Sequence, residues 1–197
     1  MKKGMVKIGM FLLLVIVLGC TKEDTTPSCT PITCLNGGIS TADCGCTCPQ
    51  GFTGSNCGAQ LTPSIIKIIK IRVTKFPDKD NGQWWDTFPT NSNADIYITM
   101  QNSSLTTIYS HPNYLPNSSS TGTNYFDFTP ATPILITNPT GSFSINIYDY
   151  EDIGTDTLMD YCLFNNLYSS TGGFPSTKTF TNLGGTFSFE LTLQYAW

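Results

Sequence analysis

Two acidic stretches carry most of the carboxylates in the C-terminal part of this chain. The first, FPDKDNGQWWDTFPTNSNADIYI over residues 76–98, holds Asp78, Asp80, Asp86 and Asp95. The second, IYDYEDIGTDTLMD over 147–160, holds Asp149, Glu151, Asp152, Asp156 and Asp160. Asp95 opens one strongly alternating run and Asp149 closes another. If those runs are neighbouring strands, several carboxylates converge at one end of a sheet. Converging carboxylates repel unless a hard cation lies between them, and calcium takes about 6–8 oxygens at about 2.3–2.6 Å. The competing reading is a set of solvated loop acids, because turns favour Asp and Asn for backbone reasons.

Other chemistry is sparse. His111 is the single histidine, no G-x-S-x-G nucleophile motif accompanies it, and Cys162 sits in the apolar run MDYCLFNN as a core thiol. An enzyme is therefore not expected. Trp84 and Trp85 adjoin Asp86; an exposed loop tryptophan would contact a lipid or stack on a sugar ring, whereas buried ones would only pack under the loop. DKDNG lacks the spacing of a helix–loop–helix calcium site: its glycine comes one position early and Pro89 fills the bidentate Glu slot.

The elements that must position these groups are strands. Residues 65–75, IIKIIKIRVTK, alternate so that Ile69, Ile71 and Val73 share a face. ADIYITM, SFSINIYD and the closing FSFELTLQYAW repeat the period of two. Weaker strands fit at 105–109, 124–128, 133–137, 160–165 and 177–181, and no long amphipathic helix competes. About eight strands with turn-rich loops predict an antiparallel β-sandwich. The final alternation superficially resembles the last strand of an outer-membrane barrel, but one such strand does not make a barrel.

The N-terminal end reads differently. Basic residues Met1–Lys7, an apolar run Ile8–Leu18 about half of the roughly 20 residues a spanning helix needs, and Gly19-Cys20 form a secretory signal. VLGC resembles the lipobox of bacterial lipoproteins, which implies cleavage after residue 19 and acylation of Cys20. Two chains suffice for stable anchoring. The following Lys22-Glu23-Asp24 is similar to an export signal that sends Gram-negative lipoproteins to the outer face of the outer membrane. The implied location is a cell-surface-exposed outer-membrane lipoprotein. Cleavage removes three lysines, leaving 7 basic against 14 acidic residues, a net charge near −7. That composition argues against nucleic acid, whose phosphates need Lys and Arg.

Cys29, Cys34, Cys44, Cys46, Cys48 and Cys57 fall in a segment too small for a stabilising core, which in an oxidising compartment points to disulfides rather than zinc. CLNGG and CTCPQGFTGSNC resemble an EGF-like domain; Ser40 occupies the family's usual third-cysteine slot, so Cys44 takes that role. The family's pairing implies Cys29–Cys44, Cys34–Cys46 and Cys48–Cys57. TTPS before Cys29 replaces the acids of calcium-binding members, which implies a plain spacer or protein-contact module.

The layout of residues 64–197 resembles a C2 domain, the calcium/phospholipid-binding type. ADIYI takes the place of that family's SDPYV strand, and IYDYEDIGTDTLM that of its late V-x-D-x-D loop. The resemblance implies calcium, with Asp95 opening the strand, Asp149 and Glu151 as the D-x-D pair, Asp156 as the closing ligand and Asp86, ahead of Asp80, from the first loop. The organisation expected is a signal over 1–19, an acidic tether over 20–28, an EGF-like module over 29–57 and a C2-like sandwich over 64–197. The function expected is a lipid-anchored binding protein that contacts a surface protein, glycan or lipid through calcium-loaded loops. The alternative is a metal-free adhesin or assembly subunit in which the EGF-like module makes the contact.

Overall fold

The computed structural model of the chain describes residues 29–87, 91–122 and 124–197; the signal, Cys20 and the tether lie outside the described residues. From Cys29 to Gln60 the chain has almost no core of its own and is held by covalent links. Two short ladders, β1 (Ile39–Ser40) with β2 (Cys46–Thr47) and β3 (Phe52–Thr53) with β4 (Ala59–Gln60), are stapled by Cys29–Cys44, Cys34–Cys46 and Cys48–Cys57. These are the three pairs that the EGF-like resemblance implies. Each such bridge typically contributes about 2–4 kcal/mol.

The remaining strands are β5 (Ile65–Lys75), β6 (Ala94–Asn102), β7 (Thr107–Ser110), β8 (Leu115–Ser118), β9 (Phe126–Phe128), β10 (Ile134–Ile136), β11 (Phe143–Asp149), β12 (Thr157–Phe164), β13 (Thr177–Thr181) and β14 (Ser188–Ala196). All pairings are antiparallel. One sheet runs β10-β5-β14-β13, with β9 sharing the β10 edge of β5. The other runs β12-β11-β6-β7, with β8 sharing the β7 edge of β6. Ten strands thus fill eight positions, four per sheet. β14 pairs on both edges within its sheet, as a core strand of the sandwich.

The inward rows form one core: Ile66, Ile68, Ile71, Val73, Phe189, Leu191 and Leu193 face Ile96, Ile98, Met100, Ile145, Ile147 and Phe164. Each fully buried Ile or Phe contributes about 1.5–3 kcal/mol. The face assignment in β5 corrects the sequence expectation. Thr192 pairs with Lys70 but Leu193 pairs with Ile68, so Ile69 is an extra, bulged residue. Ile66 and Ile68 are buried before the bulge and Ile71 and Val73 after it, while Ile69 is only half-buried and does not share their face. β8 is not among the expected strands; it carries Pro116 and lies on an edge, where proline is tolerated.

The disulfide module packs against the sandwich rather than standing off as a spacer. Gln60 donates from Nε2 to the carbonyls of Ser169 (2.8 Å) and Gly173 (3.1 Å), and its Oε1 accepts the Gly173 N–H (3.0 Å). Phe52 meets Phe174 edge-on at 5.3 Å, and Phe174 continues to Trp197 at 4.8 Å. Gly51, at φ +89°, sits so close that a Cβ there would fall 2.5 Å from Phe174 and 2.6 Å from Trp197. This contact lies where β5 begins and β14 ends. The acidic loops lie where β5 ends, β6 begins and β11 ends, at the opposite end of the sandwich.

Candidate functional site

Asp149 is placed by strand parity. Phe143, Ile145 and Ile147 form the inward row of β11, and Asp149 is its next member, fully buried at the strand's end. Its Oδ1 accepts the backbone N–H of Asp95 on β6 (2.8 Å), which the β6–β11 register brings alongside. Its Oδ2 is buried without a hydrogen-bond partner among the described residues. Burial pushes the carboxyl up to about 7; the charges of Asp86, Glu151 and Asp95 act in the same direction, and the Asp95 N–H opposes them.

Asp86 arrives from the loop after β5. Asn81-Gly82, both at positive φ, turn the chain tightly, with Asp80 and Gln83 exchanging backbone hydrogen bonds at 3.0 and 2.8 Å. Asp78 anchors this loop by accepting from Ser119 Oγ (2.8 Å) and the Ser120 N–H (2.9 Å). Beyond the turn, Ser92 bridges to Asp86, its N–H on the carbonyl (3.0 Å) and its hydroxyl on Oδ2 (3.2 Å). Glu151 follows β11 directly. Asp156 holds its loop by accepting the Glu151 N–H (3.1 Å) and the Tyr97 hydroxyl (2.7 Å). Asp86, Asp149 and Glu151 each offer an oxygen within 4.8 Å of the others. Burial, reinforced by neighbouring carboxylates, raises both Asp86 and Glu151 above the ordinary carboxylate range.

Asp95, Asp152 and Ser92 line the same cleft of about 470 Å³, with Ile153 almost wholly exposed at its rim. The side chain of Asp95 turns outward and accepts the Asn117 N–H (2.7 Å). The expected ligand set therefore divides. Asp86, Asp149 and Glu151 come together, Asp95 borders them, and Asp156 is engaged in holding the loop. The donor set is all oxygen, which suits calcium, and Asp149 adds a buried, unpartnered oxygen on a side chain that lies within 4.8 Å of two further carboxylates. Asp152 and Ser92 had no assigned role in the sequence reading; Asp152 was visible as part of the acidic run, whereas nothing local marks Ser92.

No family model matches the chain, and no curated protein matches it. Among solved structures, human GIVD cytosolic phospholipase A2, in complex with an inhibitor and terbium chloride, is similar at 17% identity and a TM-score of 0.45. That match covers 68% of this chain and 18% of the phospholipase chain, so only a small part of the enzyme is matched. A structure described as a C2 domain is similar at 14% identity and a TM-score of 0.41, over 66% of this chain and 97% of its own. A C2 domain of plant extended synaptotagmin 1 follows at 13% identity and 0.35, over 69% and 98%. The chemistry of the cleft stands on this chain's own side chains.

The two tryptophans divide their roles. Trp85 packs against the core and donates from Nε1 to the Pro77 carbonyl (2.8 Å), while Trp84 stays partly exposed with the Lys79 ammonium over its ring. Cys162 is a free, buried core thiol, pushed up by burial and by the charge of Asp160. His111 lies on the turn after β7, its Nδ1 within 2.7 Å of the Asn113 carbonyl. Among the described residues, no helix is long and apolar enough to cross a membrane.

Proposed function

We propose that this chain is a lipid-anchored binding protein displayed on a Gram-negative outer membrane, and that its sandwich holds calcium between Asp86, Asp149 and Glu151. The observation that carries the metal reading is Asp149 Oδ2, a buried carboxylate oxygen without a hydrogen-bond partner among the described residues, on a side chain that brings an oxygen within 4.8 Å of two more carboxylates. A divalent cation supplies the missing partner and cancels the mutual repulsion of the three acids. The anchor reading is supported by VLGC and the short apolar run before it. Exposed Ile153 at the cleft rim and half-exposed Trp84 are the apolar groups that the loaded loops present to a ligand.

The test is thermal unfolding of residues 21–197 in chelator and across micromolar to millimolar calcium. The midpoint rises with calcium in the native sequence and does not in Asp86→Asn. A flat midpoint in the native sequence overturns the metal reading. It would leave the second reading, a metal-free adhesin or assembly subunit whose EGF-like module makes the contact. That reading is favoured by Leu35 and Ile39, which are exposed on the module.

A further inference from the structure

The outer face of the β6–β11 sheet carries a second, separate cleft. It has a volume of about 270 Å³, near the lower end of ligand-sized pockets, roughly 300 Å³. Three tyrosines, Tyr97, Tyr114 and Tyr150, line it together with His111, Asn113 and Asp156. Strand parity supplies the first: Tyr97 points outward from β6 because Ile96 and Ile98 point in. Tyr114 comes from the turn before β8, where His111 Nδ1 is engaged with the Asn113 backbone and its ring meets Phe128 edge-on at 5.1 Å.

The arrangement of the rings discriminates between ligands. Tyr114 stacks on Tyr150 at 4.3 Å and 10°, and Tyr97 stacks on Tyr148 at 5.1 Å and 13°. Within each pair the rings spend one face on each other. They do not converge face-on around a common centre, as a cage for a quaternary ammonium requires. What the pairs leave is flat ring surface, and Tyr114 is more than a third exposed. Polar residues share the lining with that surface: Asn113, His111 and Asp156, whose carboxylate also accepts the Tyr97 hydroxyl and the Glu151 N–H and has lone pairs left for further donors. Among the described residues no lysine or arginine lines the cleft, so anions such as phosphate find no cationic partner there. The cations of β5, Lys67, Lys70, Arg72 and Lys75, belong to the other sheet, where Asp127 pairs with Lys70 and Arg72.

Flat aromatic surface ringed by hydrogen-bonding groups and lacking positive charge matches the face of a neutral sugar ring, whose C–H groups stack on an aromatic and whose hydroxyls need acceptors and donors at the edge. We propose that this tyrosine cleft is a binding site for a neutral saccharide, with Tyr114 and Tyr150 as the stacking platform and Asp156, Asn113 and His111 as hydroxyl partners. None of Asp86, Asp149 and Glu151 lines this cleft, although Tyr150 borders both clefts and Asp156 accepts the Glu151 N–H, so the saccharide site is tested without metal.

The experiment is an NMR titration of residues 21–197, kept in chelator, with neutral tetrasaccharides of glucose, mannose, galactose and N-acetylglucosamine at millimolar concentration. At least one shifts the signals of Tyr97, Tyr114 and Tyr150. Tyr114→Ala weakens that binding about tenfold, the loss expected for one aromatic stack, while Tyr114→Phe retains it. Tyr114→Leu serves the same arm if the alanine variant does not fold. Silence from all four sugars overturns the proposal, as does binding that survives both Tyr114→Ala and Tyr114→Leu. Choline shifting these signals where the sugars do not also overturns it and assigns the cleft to an organic cation.

Discussion

Replacing Asp149 with Asn separates a buried acid kept for a metal from one kept for the fold. The substitution preserves shape. The amide oxygen still accepts the Asp95 N–H, and with Asp86 and Glu151 within 4.8 Å a small side-chain shift brings an acceptor to the amide nitrogen. What disappears is a charge that the metal-free protein holds at a cost. The folded carboxyl titrates at about 7 against 3.8 ordinarily, a difference equivalent to about 4 kcal/mol on full ionisation. The cleft beyond Glu151 is open to solvent, so about half of this, roughly 2 kcal/mol, is the conservative figure. The folded value lies above the unfolded one. The protonated form's contribution is therefore fully present below about pH 4 and is lost as the pH rises through about 7.

Two results follow for thermal unfolding at pH 8. In chelator, Asp149→Asn melts above the native protein by about 4–8 °C, taking about 2–4 °C per kcal/mol for a chain of this size. With calcium at a hundred times its dissociation constant, the native protein gains about 2.7 kcal/mol and overtakes the variant, which does not respond. The metal-free native midpoint also falls between pH 5 and 8, a fall that calcium removes. A variant that melts lower than the native protein in chelator would refute the reasoning, because Asp149 would then be held by contacts the amide cannot replace. So would a variant that keeps the calcium response.

The bulge at Ile69 makes a paired prediction: Ile71→Ala costs about 2–5 kcal/mol, as expected for a fully buried isoleucine, whereas Ile69→Ala costs less than about 1 kcal/mol in denaturant unfolding. Equal losses would place Ile69 in the core row after all. Gly51→Ala forces a Cβ against Phe174 and Trp197 and an unfavourable backbone angle, a strain of about 1–3 kcal/mol. It is expected to speed amide exchange at Gly173, whose N–H is held by Gln60, without touching the calcium response; unchanged exchange would mean the docking tolerates the added carbon. Cys20→Ser abolishes incorporation of labelled palmitate in cells and releases the protein from membranes; persistent labelling would remove the lipobox reading.

Much of the sandwich is legible because alternation is local. The run Phe143, Ile145, Ile147 gives the inward row of β11, and counting two further residues places Asp149 on it. Its burial could not be read the same way, because it depends on which strand lies beside β11 and in what register. Asp149 meets the Asp95 N–H only because Asp149 pairs with Ile96, a contact across 54 residues. The bulge was hidden by composition: in IIKIIKI each isoleucine pair fits either parity, and the choice is made by Thr192 and Leu193 on the partner strand. The docking of the module was hidden by distance, since Gln60 meets residues 109 and 113 positions away. Trp84 and Trp85 were separable in principle, since adjacent residues on an extended segment point opposite ways. Which of them faces in is decided by Pro77, whose carbonyl takes the Trp85 indole N–H.

The docked module changes what an anchored protein of this kind reaches. With β5 spanning 11 residues at about 3.3 Å each, the sandwich separates its module end from its acidic end by roughly 35 Å. If Cys20 carries lipid, the nine residues from it to Cys29 reach about 30 Å at full stretch. The loops around Asp149 then touch the anchoring membrane only if the sandwich lies flat on it or inverts, and a module fixed by Gln60 and Phe174 does not bend to help. Contact with something beyond the cell requires neither. The acidic cleft and the tyrosine cleft both adjoin the far end, through Tyr150, which lines each of them. If the proposed lipid anchor is present, this geometry favours a ligand met outside the anchoring membrane over insertion of Ile153 into it. Shortening the tether leaves such outward binding unchanged, whereas contact with the anchoring membrane would weaken with each residue removed.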